Sequence, residues 1–137
     1  MTKIAIKTAM IVDDSQADQL LYSMVLERSP SVENILTFSY AEDALAFLKK
    51  ADRDPVDVIF LDINMPRMNG FEFLEAAHQE CDDGFTRAVI VMLTTSLDPD
   101  DRKRAESYDV VKEFINKPLN DEHVEHVISI VERSDPF

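Results

Sequence analysis

Cysteine is nearly absent. Cys81 stands alone among 137 residues, so no internal disulfide can form and a reducing compartment is expected. Long apolar runs are missing too: none approaches the ~18 residues that would cross a bilayer, and the N-terminus carries no apolar signal segment. Basic residues are scarce, 14 against 27 acids, which leaves a net charge of −13. Such a field repels nucleic acid and anionic membranes, and it favours cations or basic patches on protein partners. Repeats, low-complexity stretches and linkers are lacking, so nothing marks a second domain. The expectation is one cytoplasmic, acidic domain over residues 1–137, with its core in residues 8–131 and a frayed tail at 134–137. A hydrophobic fraction of 45% supplies one core of ordinary size.

What is present is arranged around residues 56–70, VDVIFLDINMPRMNG. Val56, Val58, Ile59, Phe60 and Leu61 form a β-branched and aromatic run that suits a strand covered on both faces. The run stops at Asp62. Asn64, Pro66 and Asn69-Gly70 are loop chemistry, and Phe71, Leu74 and Ala77 follow at helical spacing.

The rest of the chain alternates in the same way. Residues 3–12 read as a strand that ends at the paired acids Asp13-Asp14. Ala17, Leu20, Leu21, Met24 and Val25 recur at i, i+3, i+4, i+7 and i+8, predicting a helix whose stripe faces the core. A second strand at 35–38 and a second helix through Ala41, Ala44, Leu45 and Leu48 come before the central strand. After it, residues 81–84 read as a loop and residues 88–93, AVIVML, as a fourth strand ending at Thr94-Thr95-Ser96. Asp98-Pro99 starts a polar, exposed helix. A fifth strand within 110–116 ends at Lys117-Pro118, and a last helix from about Asn120 carries Val124, Val127, Ile128 and Val131 on one face.

Five βα units imply an α/β fold: a doubly wound, five-stranded parallel sheet with helices on both faces, best matched by the flavodoxin-like order 2-1-3-4-5. That order gathers Asp13, Asp14, Asp62, Thr94 and Lys117 at the carboxyl edge, where such sheets bind ligands. Clustered carboxylates need a compensating cation, and an oxygen-rich site suits Mg²⁺. A metal, a lysine and a hydroxyl around a carboxylate fit phosphoryl transfer to that carboxylate. Each residue also has a plainer reading. Asp13-Asp14 cap a helix, Asp62 is a solvated turn acid, Lys117 is a surface charge, Thr94 ends a strand, and Phe114 is core. His123 and His126, at i and i+3, read as a solvated helix face. Only the conjunction favours chemistry.

The chain resembles the receiver domains of two-component response regulators. The resemblance rests on VDDS at Asp13-Asp14, LDINMPRMNG around Asp62, LTTS at Thr94 and FINKP ending in Lys117-Pro118. It implies that Asp62 accepts a phosphoryl group from a histidine kinase or histidine phosphotransfer protein. Asp13, Asp14, Asp62 and the backbone carbonyl of Asn64 would hold Mg²⁺. Thr94 would be the switch hydroxyl, with Thr95 beside it as the alternative. Lys117 would pair with the phosphoryl oxygens, Pro118 would be cis, and Phe114 would report phosphorylation by its rotamer. A downstream protein would read the fourth helix, fifth strand and fifth helix, and a homodimer through that face stays open. Two departures stand out: threonine at 95, where the family has a very small residue, and Glu106-Ser107-Tyr108-Asp109 in place of a Gly-Ala turn. The implied function is a stand-alone phosphorylation switch rather than a turnover enzyme. The alternatives are a receiver-like binding module without phosphorylation and an aspartyl-phosphate phosphatase. Against the phosphatase, Asn64 stands where the haloacid dehalogenase type has a second acid.

Overall fold

The structure, a computed structural model, describes residues 4–50, 52–81 and 88–134. Lys3 of the expected first strand, most of the loop at 81–84 and all but the first residue of the expected tail lie outside them. Strands and helices alternate: β1 (Ile6–Val12), α1 (Gln16–Glu27), β2 (Val32–Phe38), α2 (Ala41–Leu48), β3 (Val58–Asp62), α3 (Gly70–Glu80), β4 (Val89–Thr94), α4 (Pro99–Glu106), β5 (Val111–Asn116) and α5 (Asp121–Ser134). The strands form one sheet in the order β2-β1-β3-β4-β5, and every pairing is parallel. This is the expected doubly wound architecture.

Strand alternation sorts the core into two layers. Met10, Val12, Ile59, Leu61, Ile90 and Met92 pack with α2, α3 and Ala105 of α4 on one face of the sheet. Ile11, Val58, Phe60, Val91 and Leu93 pack with Tyr22, Val25 and Leu26 of α1 and with Val124, Val127 and Ile128 of α5 on the other. The three inner strands are buried throughout apart from Lys7, whereas β2 and β5 are partly open edges.

Helix starts follow the capping chemistry of the sequence. The Ser15 hydroxyl accepts the Asp18 N–H, Asn69 and Glu72 form a capping box, and Asp98 caps α4 ahead of Pro99. His123 completes a reciprocal cap on α5: its N–H donates to Asn120 Oδ1, and its Nδ1 accepts the Asn120 N–H. The polar helix α4 buries only Ala105.

The expected core stripe of α1 is a correction. Only Val25 of that set is buried, while Leu20, Leu21 and Met24 are 65%, 44% and 49% exposed and Ala17 is also exposed. The buried face is Tyr22, Val25 and Leu26. Two apolar faces share this helix, and the tyrosine face docks on the sheet. The second strand also starts earlier than expected, at Val32.

The turn into β5, which lacks Gly-Ala, is built from successive backbone hydrogen bonds: Ser107 to Arg104, Tyr108 to Ala105, and Val111 to Tyr108. Tyr108 then stacks on Phe71 at 6.2 Å between ring centroids, and its hydroxyl donates to Glu75 at 2.7 Å. A tyrosine tie to α3 stands where a small-residue turn was absent.

Candidate functional site

The carboxyl ends of β1, β3, β4 and β5 bring the expected residues to one edge. Asp13 follows β1 and is 2% exposed; Asp14 beside it is exposed; Asp62 ends β3 at 7%. One carboxylate oxygen from each of the three lies within 4.8 Å of the others. Lys117, just past β5, sends its ammonium into this group, 2.8 Å from Asp13 Oδ2 and 3.6 Å from Asp62 Oδ1. Thr94 ends β4 fully buried, and its Oγ1 accepts the Ser96 N–H at 2.9 Å; Thr95 is exposed. The Lys117-Pro118 peptide bond is cis.

Placement comes from local structure. A register shift in the β4–β5 pairing sets Phe114 opposite Met92 and Asn116 opposite Thr94. The Lys117 N–H donates to the Thr94 carbonyl at 2.9 Å, which anchors the lysine to β4. The loop after Asp62 carries exposed Asn64 and returns through the Gly70 N–H, which donates to the Ile63 carbonyl at 2.8 Å. The backbone passes so near β3 there that a Cβ on Gly70 would sit 2.6 Å from the Asp62 carbonyl oxygen. Glycine is required by that approach. Arg67 in this loop has φ 68°, and its guanidinium pairs with Glu42 at 2.9 Å and covers the Tyr40 ring at 4.0 Å. Those contacts tie the strained loop to the start of α2.

The electrostatics are those of crowded, buried acids. Burial, then repulsion from Asp13, with a smaller push from Asp14, drives Asp62 up to about 7 against the pull of Lys117. Burial also raises Asp13, outweighing the hydrogen bonds it accepts from Lys117 and the Ser15 N–H. For Lys117 burial works the other way, but the hydrogen bonds to Asp13 and Asp18 prevail and hold the ammonium above its ordinary range. Two carboxyl groups raised by burial and, for Asp62, by repulsion from its neighbours fit a hard divalent cation that would offset their charge. All three donors are oxygens, as Mg²⁺ requires.

Three participants were not foreseen. Asp18, in the first turn of α1, accepts a hydrogen bond from Lys117 at 2.9 Å. Tyr22 lies 1% exposed with the same ammonium 5.8 Å from its ring centroid, and burial pushes its hydroxyl up to about 12. Gln19 donates to the Asp13 carbonyl at 2.7 Å and to Ser39 at 2.9 Å. In sequence, Asp18 reads as an ordinary acid in a first helical turn, and Tyr22 lies off the apparent apolar stripe.

Phe114 is 8% exposed, turned inward, on the face formed by α4, β5 and α5. Next to it a groove of about 480 Å³ is lined by Glu113, Asn116, Glu122, His123 and His126. His126 Nε2 lies 2.6 Å from Glu113 Oε2. The two histidines thus serve a helix cap and a side-chain contact with Glu113.

A doubly wound sheet presenting three acids, a lysine and a hydroxyl at its carboxyl edge defines an acidic pocket whose carboxylates could hold a metal ion. The chain belongs to the response regulator receiver domain family, whose family model matches residues 9–129. Receiver domains are phosphorylation-dependent signalling switches and generally not turnover enzymes. They bind Mg²⁺ at an acidic pocket and interact with histidine kinases and downstream proteins. In fold, the chain is similar to a two-component response regulator from Cytophaga hutchinsonii: TM-score 0.85, 27% identity, 96% of this chain and 99% of that chain covered. It is 28% identical to Protein PilH of Pseudomonas aeruginosa over 89% of this chain and 94% of the relative. Over 52% of its length it is 42% identical to an Agrobacterium fabrum protein-glutamate methylesterase/protein-glutamine glutaminase, but it spans 19% of that protein. No helix of the described residues is long and apolar enough to cross a membrane.

Proposed function

We propose that this chain is a cytoplasmic phosphorylation switch in which Asp62 is the phospho-acceptor. The observation that carries the reading is Asp62 itself: a 7% exposed carboxylate ending a central strand, with two acids and an ammonium around it. An Asp62 oxygen attacks the phosphorus of a phosphohistidine on a kinase or phosphotransfer protein. The new O–P bond forms as the P–N bond breaks, and the electron pair stays with the imidazole nitrogen. Asp13, Asp14, Asp62 and the Asn64 carbonyl would hold Mg²⁺, which would supply positive charge to offset that on the phosphoryl oxygens. Thr94, the buried hydroxyl, turns toward the phosphoryl group, and Lys117 pairs with its oxygens.

The exposed Leu20, Leu21 and Met24 of α1 support a protein as the donor. They form an apolar face on the helix whose first turn reaches the site. Inward Phe114 and its groove support a reader on the face of α4, β5 and α5. The shift is between two pre-existing surface states.

The test is intact-mass spectrometry after incubation with Mg²⁺ and acetyl phosphate, comparing the wild type with Asp62→Asn. One added phosphoryl group, lost on chelating the metal and absent in the variant, is expected. Failure of the wild type to form both this adduct and a beryllofluoride complex would overturn the proposal in favour of a pure binding module.

A further inference from the structure

An ammonium has three N–H donors, and the structure records how Lys117 uses them. Asp13 Oδ2 lies at 2.8 Å and Asp18 Oδ2 at 2.9 Å, both direct hydrogen bonds. Asp62 Oδ1 lies at 3.6 Å, beyond hydrogen-bond length. The lysine is therefore committed to β1 and α1 rather than to the carboxylate at the centre of the site.

We propose that Asp18 is the resting-state counter-ion of Lys117, a positioning residue that holds the ammonium off Asp62 and is given up when Asp62 is phosphorylated. The inference rests on the reading of Asp62 as acceptor. It turns on which bond breaks. Phosphorylation adds negative charge and new acceptor oxygens at Asp62, so the ammonium gains a stronger partner and must release one it holds. Asp13 is 2% exposed, and left without the ammonium its carboxylate stays buried. The Asp18 side chain is 32% exposed and regains water on release. Losing Asp18 is the smaller penalty.

The location of Asp18 gives the exchange an outlet. Its own N–H is fixed to the Ser15 hydroxyl at the start of α1, so its carboxylate is presented from the first turn of that helix. Release leaves an unpaired negative charge on the helix that exposes Leu20, Leu21 and Met24. The charge of Asp18 thereby marks on α1 whether Asp62 is occupied.

The test uses the full chain as wild type, Asp18→Ala and Asp18→Glu. The Cε and Nζ resonances of Lys117 are recorded at rest and with Mg²⁺ and beryllofluoride. At rest, Asp18→Ala is expected to shift Lys117. In the beryllofluoride state the wild-type and Ala resonances coincide, because the contact is gone from both. Labelling by acetyl phosphate, in which acetate leaves with the electron pair of the broken P–O bond, rises several-fold in Asp18→Ala. Loss of the label is unchanged, and Asp18→Glu returns both readouts toward wild type. A role confined to the stability of α1 would leave the same Lys117 difference in both states. That result, or labelling that is slowed or unchanged in Asp18→Ala, overturns the inference. If the wild type takes label and the variants match it, only the counter-ion role falls. If the wild type takes neither label nor beryllofluoride, the acceptor reading falls and this inference with it.

Discussion

The guanidinium of Arg102, on α4, lies over the ring of Phe114, on β5, with its carbon 4.8 Å from the ring centroid. An exposed cation thus covers the inward aromatic and links α4 to β5. Arg102→Ala is expected to lower stability by about 0.5–1 kcal/mol, the usual worth of a surface cation–π contact. It should also shift the Phe114 ring resonances toward those of the beryllofluoride form. Urea titration and aromatic NMR check the two parts.

The raised Asp62 gives stability a definite dependence on pH. Its folded value of about 7 stands above the ordinary 3.8, so the folded chain keeps a proton that the unfolded chain gives up. The contribution is complete below 3.8 and is lost as pH rises through about 7. Asp13 is displaced in the same direction. In chelator, Asp62→Asn should flatten this fall and stabilise the protein at about pH 8 by upwards of about 1 kcal/mol. Urea melts of both proteins across that range decide it; a steeper fall in the variant would refute the assignment.

Cation binding should carry the same signature. A carboxyl group that titrates near 7 must lose its proton to become a ligand. Mg²⁺ is expected to displace protons at about pH 6 and almost none at about pH 9. Calorimetry in two buffers of different ionisation enthalpy measures the number released.

Gly70 fixes the approach of the loop to β3. A methyl there would meet the Asp62 carbonyl oxygen at 2.6 Å and the Ile63 Cα at 3.1 Å, both backbone atoms. Gly70→Ala is expected to cost about 2–3 kcal/mol in a urea titration and to slow labelling of Asp62 by acetyl phosphate, since the backbone of Asp62 must move.

The open face of α1 separates protein donors from small ones. Leu20→Ser with Met24→Ser should change stability by less than about 0.5 kcal/mol, since both side chains are exposed. Transfer from a phosphohistidine protein should slow several-fold while labelling by acetyl phosphate stays the same. Equal slowing of both would assign the effect to the site rather than to docking.

The sheet was legible because its three central strands are apolar on both faces and each stops at a polar residue. That punctuation places Asp13, Asp62 and Thr94 at one edge, and the end of β5 adds Lys117. The α1 stripe misled for a physical reason. Periodicity detects an apolar face, but Leu20, Leu21 and Met24 compete with Tyr22, Val25 and Leu26, and only packing decides which face docks. The sequence put Thr94 first with Thr95 as the alternative, and the end of β4 at Thr94 leaves the first buried and the second exposed. Asp18 was invisible because its partner lies 99 positions away and its local setting is that of any first-turn acid.

Tyr22 has a use beyond packing. The chain holds three tyrosines and no tryptophan, and of the three only Tyr22 is buried, with the Lys117 ammonium beside its ring. Near-ultraviolet absorption and emission therefore come from few rings, one of them set against the charge that phosphorylation would move. The molecule carries an intrinsic optical gauge of its own pocket, readable without a dye, a label or an engineered fluorophore.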